Sequence, residues 1–222
     1  MIKAVVFDLD DTLYPELAYV ESGFQQVSKF LEHKYNIVNV QKDIMQLFYE
    51  SKNDVYNRLL QKYGISNQSD IIQMINLYRQ NKPKYLPYYE DVEVVLETLV
   101  DKGIKLGIIT DGRIDGQKNK IAALNVEKYI TDIIITDSLG GEQFRKPHPA
   151  AFEKMKDILG VKYEEMVYVG DNRSKDFFIK TIYPISTVEI MRCGGIYEDK
   201  EYLGGVMPDY TIKNMLSLLK II

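Results

Sequence analysis

Apolar positions near the start of the chain form a short uninterrupted run that ends in acidic residues. Residues 4–7 carry no polar side chain, which predicts a strand buried on both faces in the middle of a parallel sheet. Asp8, Asp10 and Asp11 follow directly. Because side chains alternate along a strand, Asp8 and Asp10 are expected on the same side of the backbone. Like charges at a dry strand end cost stability unless a cation, a proton or a basic side chain compensates them, so the pair indicates function.

The apolar period changes after Pro15 from about two residues to about 3.6, which predicts helices. The helical period recurs over residues 17–31, 44–60 and 69–80. No strand is predicted among them. A helical block of this size directly after a strand predicts an inserted subdomain, and residues 82–87, which contain two prolines, are expected to lead back to the core.

Strands and helices alternate in the remainder of the chain. Buried strands are predicted over residues 104–110, 133–136, 166–169 and 187–191. Helices are predicted over residues 91–102, 117–124, 150–159 and 212–219. This alternation predicts an α/β fold, a parallel sheet with right-handed crossovers and helices on its faces. Residues 1–15 and 86–222 are expected to form this core, and residues 16–85 the helical insert.

The composition and charge of the chain exclude some classes of function. The chain has 222 residues, of which 45% are hydrophobic, enough for a sizeable core. Its 28 basic and 32 acidic residues give a formal charge of -4, so nucleic acid is not an expected partner. The single cysteine, Cys193, excludes an intramolecular disulfide and fits a reducing compartment. No signal peptide or membrane-length apolar run is found, so we expect no membrane association and a cytoplasmic location.

Polar residues of a particular kind follow three of the predicted strands. Asp8 and Asp10 follow the first, Thr110 and Asp111 end the second, and Asp171 follows the fourth. In open parallel sheets, ligands bind beyond the carboxyl ends of the strands, so these residues are expected to share one site. Oxygen ligands without histidine or thiolate select Mg²⁺, which commonly also binds a substrate phosphate. The sequence therefore predicts a magnesium site.

Other residues favour phosphate as the second ligand of this site. Thr110 offers a hydroxyl, and the turn after it exposes backbone N–H groups that can bind an anion. Lys146 supplies a point positive charge. Together with the carboxylates, these groups predict a site for phosphoryl chemistry.

Four segments carry a resemblance to a known family. They are Asp8-Leu9-Asp10-Asp11-Thr12-Leu13, Ile108-Ile109-Thr110-Asp111-Gly112, Lys146-Pro147, and Val169-Gly170-Asp171-Asn172 with Asp176. In this order and spacing the chain resembles the haloacid dehalogenase-like (HAD) hydrolase superfamily. The resemblance implies a Rossmann-like core, and the insert between the first two motifs implies a helical cap of the C1 type. The segment after Asp176 departs from the family pattern, because residues 177–184 are bulky where members often carry small residues.

The resemblance also implies roles for the acidic residues. Asp8 would be the nucleophile and Asp10 the general acid and base. Asp8 and Asp171 would bind Mg²⁺ through their carboxylates, and Asp10 through its backbone carbonyl. Asp176 would orient Lys146 or the metal-bound waters.

The same resemblance assigns the phosphate contacts. Thr110 and the amide of Asp111 would hold phosphate oxygens, and Lys146 would neutralise Asp8 and the transferring group. A dehalogenase has no leaving alkoxide to protonate, so Asp10 favours a phosphatase.

The predicted function is a Mg²⁺-dependent phosphatase that hydrolyses a small phosphorylated metabolite through an aspartyl-phosphate. One alternative is a sugar phosphomutase that uses the same intermediate. Another is a non-enzymatic phosphoacceptor module that resembles a receiver domain, although receivers are shorter and lack a helical insert after the first strand.

Overall fold

The computed structural model describes residues 1–196 and 200–222. The chain divides into two compact units, one of Met1–Glu16 with Tyr85–Ile222 and the other of Leu17–Lys84. In the described residues the α-helices are α1 (Glu16–Tyr35), α2 (Val40–Glu50), α3 (Val55–Lys62), α4 (Ser69–Arg79), α5 (Val92–Asp101), α6 (Ile114–Leu124) and α7 (Ala150–Leu159).

The first unit is built on one parallel sheet, as the sequence predicted. Over residues 1–196 and 200–222 its strands are β1 (Ala4–Phe7), β2 (Lys105–Thr110), β3 (Asp132–Ile135), β4 (Met166–Gly170), β5 (Ser186–Ile190) and β6 (Tyr210–Ile212). Their order is β3-β2-β1-β4-β5-β6, and every neighbouring pair is parallel. The strand order reverses between β1 and β4, and the carboxyl end of such a point is where these sheets bind ligands.

Helices cover the sheet because its central strands are apolar on both faces. All four residues of β1 are fully buried. Helix α7 packs on β2 and β3, and α5 packs on β2. Gly107 of β2 allows a close approach, since a Cβ atom there would lie 2.6 Å from Sδ of Met155 in α7. The core on this side includes Ala4, Val6, Ile109, Ile134, Phe152, Met155 and Tyr168.

The second unit, Leu17–Lys84, is built from helices α1 to α4 and the segments that connect them. Aromatic rings join its helices: the ring centroid of Phe24 in α1 lies 5.6 Å from that of Phe48 in α2 and 5.6 Å from that of Tyr78 in α4. A buried carboxylate, Asp70, is bound by the side chains of Lys34 and Tyr35. In the part of the chain that the structure describes, no helix combines the length and the apolar character needed to cross a membrane.

Three sequence predictions of secondary structure are corrected. The last segment, predicted as one helix over residues 212–219, contains strand β6 followed by a 3-10 helix, Met215–Lys220. The helical region 44–60 is two helices, because the chain turns between α2 and α3. Helix α6 begins at Ile114, three residues before the predicted start. After Asp176, where the sequence departs from the family pattern, the chain forms only a short 3-10 helix, Phe178–Thr181.

Candidate active site

Asp8 directly follows β1 and is almost inaccessible to solvent. Its backbone N–H donates to the carbonyl of Val169 in β4 over 2.8 Å, which fixes the residue between the two central strands. Its Oδ1 accepts a hydrogen bond of 2.8 Å from the N–H of Leu9, and its Oδ2 lies 2.9 Å from Nζ of Lys146. The carboxyl edge of the sheet therefore presents a carboxylate with an ammonium group beside it.

Lys146 has a fully buried side chain that is surrounded by polar partners. Its Nζ lies 2.8 Å from Oδ1 of Asp176 and donates to the hydroxyl of Tyr168 over 2.7 Å. Burial alone would lower the pKa of Lys146, but the negative charges of Asp176 and Asp8 raise the pKa above its ordinary value. The lysine is therefore charged in a dry environment.

Three carboxylates lie close together at this edge of the sheet. Asp8, Asp171 and Asp176 each offer an oxygen atom within 4.8 Å of the others. Burial raises the pKa of Asp171 well above its usual range, and the charges of Asp176 and Asp8 raise it further. The hydroxyl of Thr12 donates to Oδ1 of Asp171 over 3.4 Å. Such a cluster requires a compensating charge, and its oxygen-only donors fit Mg²⁺.

The turn after β4 places the carboxylate of Asp176. Its Oδ2 accepts a hydrogen bond of 2.9 Å from the N–H of Asn172. A Cβ atom on Gly170, the last residue of β4, would lie 2.5 Å from this oxygen. A glycine is therefore needed for the carboxylate to reach the backbone, and the position of Asp176 depends on it.

Asp111 joins the end of β2 to the loop that carries Lys146. Its carboxylate accepts hydrogen bonds from the backbone N–H of Lys146 over 3.0 Å and from Nζ of Lys175 over 2.9 Å. Burial would raise the pKa of Asp111, but the charges of the two lysines lower it below its usual value. The side chain of Asp111 thus fixes the loop, while the proposed binding of phosphate by its amide stays a prediction.

Lys175 is a second lysine near Asp8, and it was not predicted from the sequence as a site residue. Its Nζ lies 3.8 Å from Oδ2 of Asp8. Burial raises the pKa of Asp8 to about 6, while Lys146 and Lys175 act in the opposite direction. The sequence feature that came closest to indicating a role for Lys175 is its position immediately before Asp176.

The carboxylate of Asp10 has its own set of partners. Nζ of Lys120 lies 2.7 Å from its Oδ1 and 2.9 Å from its Oδ2. Gln117 donates to Oδ2 over 3.0 Å, and the hydroxyl of Tyr14 donates to Oδ1. Burial would raise the pKa of Asp10, but the charge and hydrogen bonds of Lys120 lower it. Asp8 and Asp10 of the first motif are therefore neutralised by different lysines.

Gln117 connects the Asp10 carboxylate to the end of β2. Its Nε2 also donates to the hydroxyl of Thr110, which is fully buried. Neither Gln117 nor Lys120 was predicted from the sequence as a site residue. They lie three residues apart in α6, on the buried face with Ile121 and Leu124. The sequence feature that could have indicated Lys120 is its spacing, which places a lysine on the same helix face as apolar residues.

The structure therefore brings the predicted site residues to one edge of the sheet in two groups. The first group holds Asp8, Asp171, Asp176 and Lys146, with Asp111 bound to the same loop. The second holds Asp10 and Thr110, which share Gln117.

Comparisons with protein families, curated proteins and solved structures give consistent matches. A family model described as haloacid dehalogenase-like hydrolase matches residues 5–178. Proteins of Methanopyrus kandleri and Methanocaldococcus jannaschii, both named glyceraldehyde 3-phosphate phosphatase, are 31% and 32% identical. Each alignment covers 100% of this chain and 97% of the relative. A crystal structure of a HAD phosphatase from Thermococcus onnurineus is 28% identical, with a TM-score of 0.64 over 99% of this chain and 97% of that one.

Proposed function

This chain belongs to the haloacid dehalogenase-like hydrolases, and we propose that it is a Mg²⁺-dependent phosphatase that acts on a small phosphomonoester through a phosphorylated aspartate. The class, a hydrolase of phosphoric monoesters, agrees with the names of its relatives. The observation that carries the proposal is the buried carboxylate of Asp8, with Nζ of Lys146 2.9 Å from its Oδ2 and two further carboxylates nearby.

The proposed reaction has two displacements at phosphorus. In the first, an oxygen of Asp8 bonds to phosphorus while the ester P–O bond breaks, and Asp10, which enters this step in its protonated form, gives that proton to the departing oxygen. In the second, water bonds to phosphorus, the bond to Asp8 breaks, and Asp10 takes a proton from that water. Phosphate leaves, and both aspartates return to their starting state. The ammonium of Lys146 stabilises the charge on Asp8 and on the transferring group.

The residues that would hold Mg²⁺ are the carboxylates of Asp8 and Asp171 and the backbone carbonyl of Asp10. Asp176, which binds Lys146, would orient the lysine or metal-bound water. When bound, Mg²⁺ would supply positive charge to the acidic cluster and to the phosphate oxygens.

The substrate is proposed to be a small phosphorylated metabolite. The relatives named glyceraldehyde 3-phosphate phosphatase make three-carbon phosphates the first compounds to test. The helical unit, Leu17–Lys84, is proposed to act as the cap that selects the leaving group.

To test this proposal, phosphate release is measured from a panel of phosphorylated metabolites, with Mg²⁺ and with a chelator. We expect turnover only with Mg²⁺, and Asp8→Asn is expected to lower kcat by at least about 10³-fold because it removes the nucleophile. The matched control is Asp101→Asn, which changes an exposed aspartate at the end of α5. Circular dichroism and thermal unfolding establish that both variants are folded.

The same experiment separates the alternatives. Undiminished turnover by folded Asp8→Asn would refute the proposal. Formation of an isomer of a sugar phosphate without release of phosphate would indicate a mutase. A long-lived phosphate on an aspartate other than Asp8, detected after rapid quenching with labelled substrate, would indicate a phosphoacceptor module.

A further inference from the structure

Lys175 is partly accessible to solvent at the active-site edge of the sheet, unlike Lys146. The side chain of Lys175 is 23% exposed, whereas that of Lys146 has no access to solvent. Nζ of Lys175 lies 3.8 Å from Oδ2 of Asp8, the proposed nucleophile. A ligand that approaches Asp8 from solvent can therefore meet the ammonium group of Lys175, but it can meet that of Lys146 only if the protein moves.

The two lysines also differ in their hydrogen-bond partners. A lysine has three N–H donors. Nζ of Lys146 lies within 2.9 Å of three protein oxygens, which belong to Asp8, Asp176 and Tyr168. In the part of the chain that the structure describes, Nζ of Lys175 makes one hydrogen bond, to Oδ2 of Asp111 over 2.9 Å, and its contact with Asp8 is too long for another. Lys175 therefore has donors left for a ligand.

The ammonium group of Lys175 is held in place from two strand ends. The backbone N–H of Lys175 donates to the carbonyl of Asn172 over 3.1 Å in the turn after β4, and its Nζ is bound by the Asp111 carboxylate after β2. Among the described residues, the ion pairs of Lys175 are with Asp111 and Asp8 and not with Asp171, which is proposed to bind Mg²⁺. The positive charge is thus fixed beside Asp8 before any ligand arrives.

We propose that Lys175 donates a hydrogen bond to an oxygen of the transferring phosphoryl group and is a further phosphate-binding residue of this site. The inference rests on the proposed function, in which Asp8 bonds to phosphorus. A phosphorus atom ready for attack lies about 3–3.5 Å from the attacking oxygen, which brings its own oxygens within reach of an ammonium group 3.8 Å from Asp8. Lys175 keeps its proton throughout, and its charge compensates the negative charge that the phosphate brings to an acidic edge of the sheet.

Opposite effects on phosphate and on Mg²⁺ distinguish this role from a structural one. Loss of a positive charge weakens the binding of an anion and favours the binding of a cation, whereas damage to the fold weakens both. With Mg²⁺ present, we expect Lys175→Met to raise the Kd of inorganic phosphate by at least about 10-fold, because it removes a charge-assisted hydrogen bond. The Kd of Mg²⁺ without phosphate is expected to stay the same or to fall. Isothermal titration calorimetry measures both values.

Two further variants serve as controls. Lys118→Met changes an exposed lysine of α6 and is expected to alter neither Kd. Lys175→Gln keeps an N–H donor for the Asp111 carboxylate but carries no charge, so it is expected to weaken phosphate binding as Lys175→Met does. Phosphate binding by Lys175→Gln that equals that of the native chain would show that Lys175 only holds Asp111, and it would overturn the inference.

The remaining outcomes are equally decisive. An unchanged Kd of phosphate in folded Lys175→Met, or Kd values of phosphate and Mg²⁺ that rise together, would overturn the inference, as would the absence of phosphate binding by the native chain. Circular dichroism and thermal unfolding establish that the variants are folded. If Lys175→Met does not fold, Lys175→Gln takes its place under the same criteria.

Failure of this inference is distinguishable from failure of the proposed function. Turnover by folded Asp8→Asn removes the proposed function whatever Lys175 does. Loss of turnover in Asp8→Asn, together with equal phosphate binding by the native chain and Lys175→Met, leaves the phosphatase in place and removes only the role of Lys175.

Discussion

Lys146 carries the positive charge that compensates two buried carboxylates of the first site group, Asp8 and Asp176. Its ammonium lies 2.9 Å from Asp8 and 2.8 Å from Asp176, and its side chain has no access to solvent. Each of these ions loses its hydration in the fold, and their mutual attraction, together with their hydrogen bonds to neighbouring groups, compensates for the loss. Removal of the lysine therefore leaves uncompensated negative charge in the interior.

We expect Lys146→Met to lower the free energy of unfolding by about 3–5 kcal/mol, because it removes the cation that lies nearest to both buried carboxylates. The measurement is urea unfolding in the presence of a chelator. The control is Lys154→Met, an exposed lysine of α7, which is expected to change stability by less than about 0.5 kcal/mol. A variant as stable as the native chain would show that the Lys146 ammonium is not what compensates these charges.

At the scale of elements, Asp91 joins three segments of the first unit. It precedes α5, lies 2.9 Å from Nη1 of Arg192 beyond β5, and accepts a hydrogen bond of 2.6 Å from the N–H of Met215 at the start of the last 3-10 helix. Burial would raise the pKa of Asp91, but these two partners lower it below its usual value. The ionised carboxylate thus holds the end of the chain against α5.

This arrangement predicts a pH dependence of stability. Because the pKa of Asp91 is lower in the folded than in the unfolded chain, its contribution is complete above about pH 4 and is lost as the pH falls through the folded value. We expect Asp91→Asn to lower the free energy of unfolding by about 1–3 kcal/mol at pH 7, and the difference from the native chain to shrink towards pH 3.

Urea unfolding at several pH values measures this difference. Asp101→Asn, at the other end of α5, is the control and is expected to follow the native chain at every pH. A difference for Asp91→Asn that stayed constant from pH 7 to pH 3 would contradict the role of the ionised carboxylate.

The elements that the sequence did not predict lack a local signal. In β6 only Ile212 is buried, so three residues carried too little periodicity to indicate a strand. The strand forms because β5 offers a sheet edge, on which Tyr210 pairs with Val188. The start of α6 was hidden by Gly116, a weak helix former inside the first turns of the helix.

At the scale of the whole molecule, metal binding is expected to couple to stability. A ligand that binds only the folded chain raises the free energy of unfolding, by about 2.7 kcal/mol at a free concentration 100 times its Kd. We therefore expect Mg²⁺ to raise the Tm of the native chain. Asp171→Asn removes one of the three clustered carboxylates, so its Tm is expected to exceed that of the native chain in chelator and to respond little to Mg²⁺.

Differential scanning fluorimetry with Mg²⁺ and with a chelator measures these values, and Asp101→Asn serves as the control. An equal response to Mg²⁺ in the native chain and in Asp171→Asn would contradict metal binding at this cluster.

The sequence predicted those site residues that directly follow a strand. Asp8 and Asp171 each follow a buried apolar strand, and the parallel sheet brings such ends together without further information. Lys120 and Lys175 were not predicted, because their contacts depend on how α6 and the turn after β4 are placed in three dimensions. Sequence spacing indicates which residues share a helix face, but not which residues that face contacts.

The position of Asp8 between β1 and β4 has a consequence for how such an enzyme diversifies. In the proposed reaction, bonds are made and broken in the middle of the sheet, whereas β3 and β6 form its margins. The helical unit, Leu17–Lys84, which is proposed to select the substrate, supplies none of these strands, so it can change while the strand ends that carry the reaction stay where they are. The residues that determine substrate preference and those that carry out the reaction therefore lie in different parts of the fold.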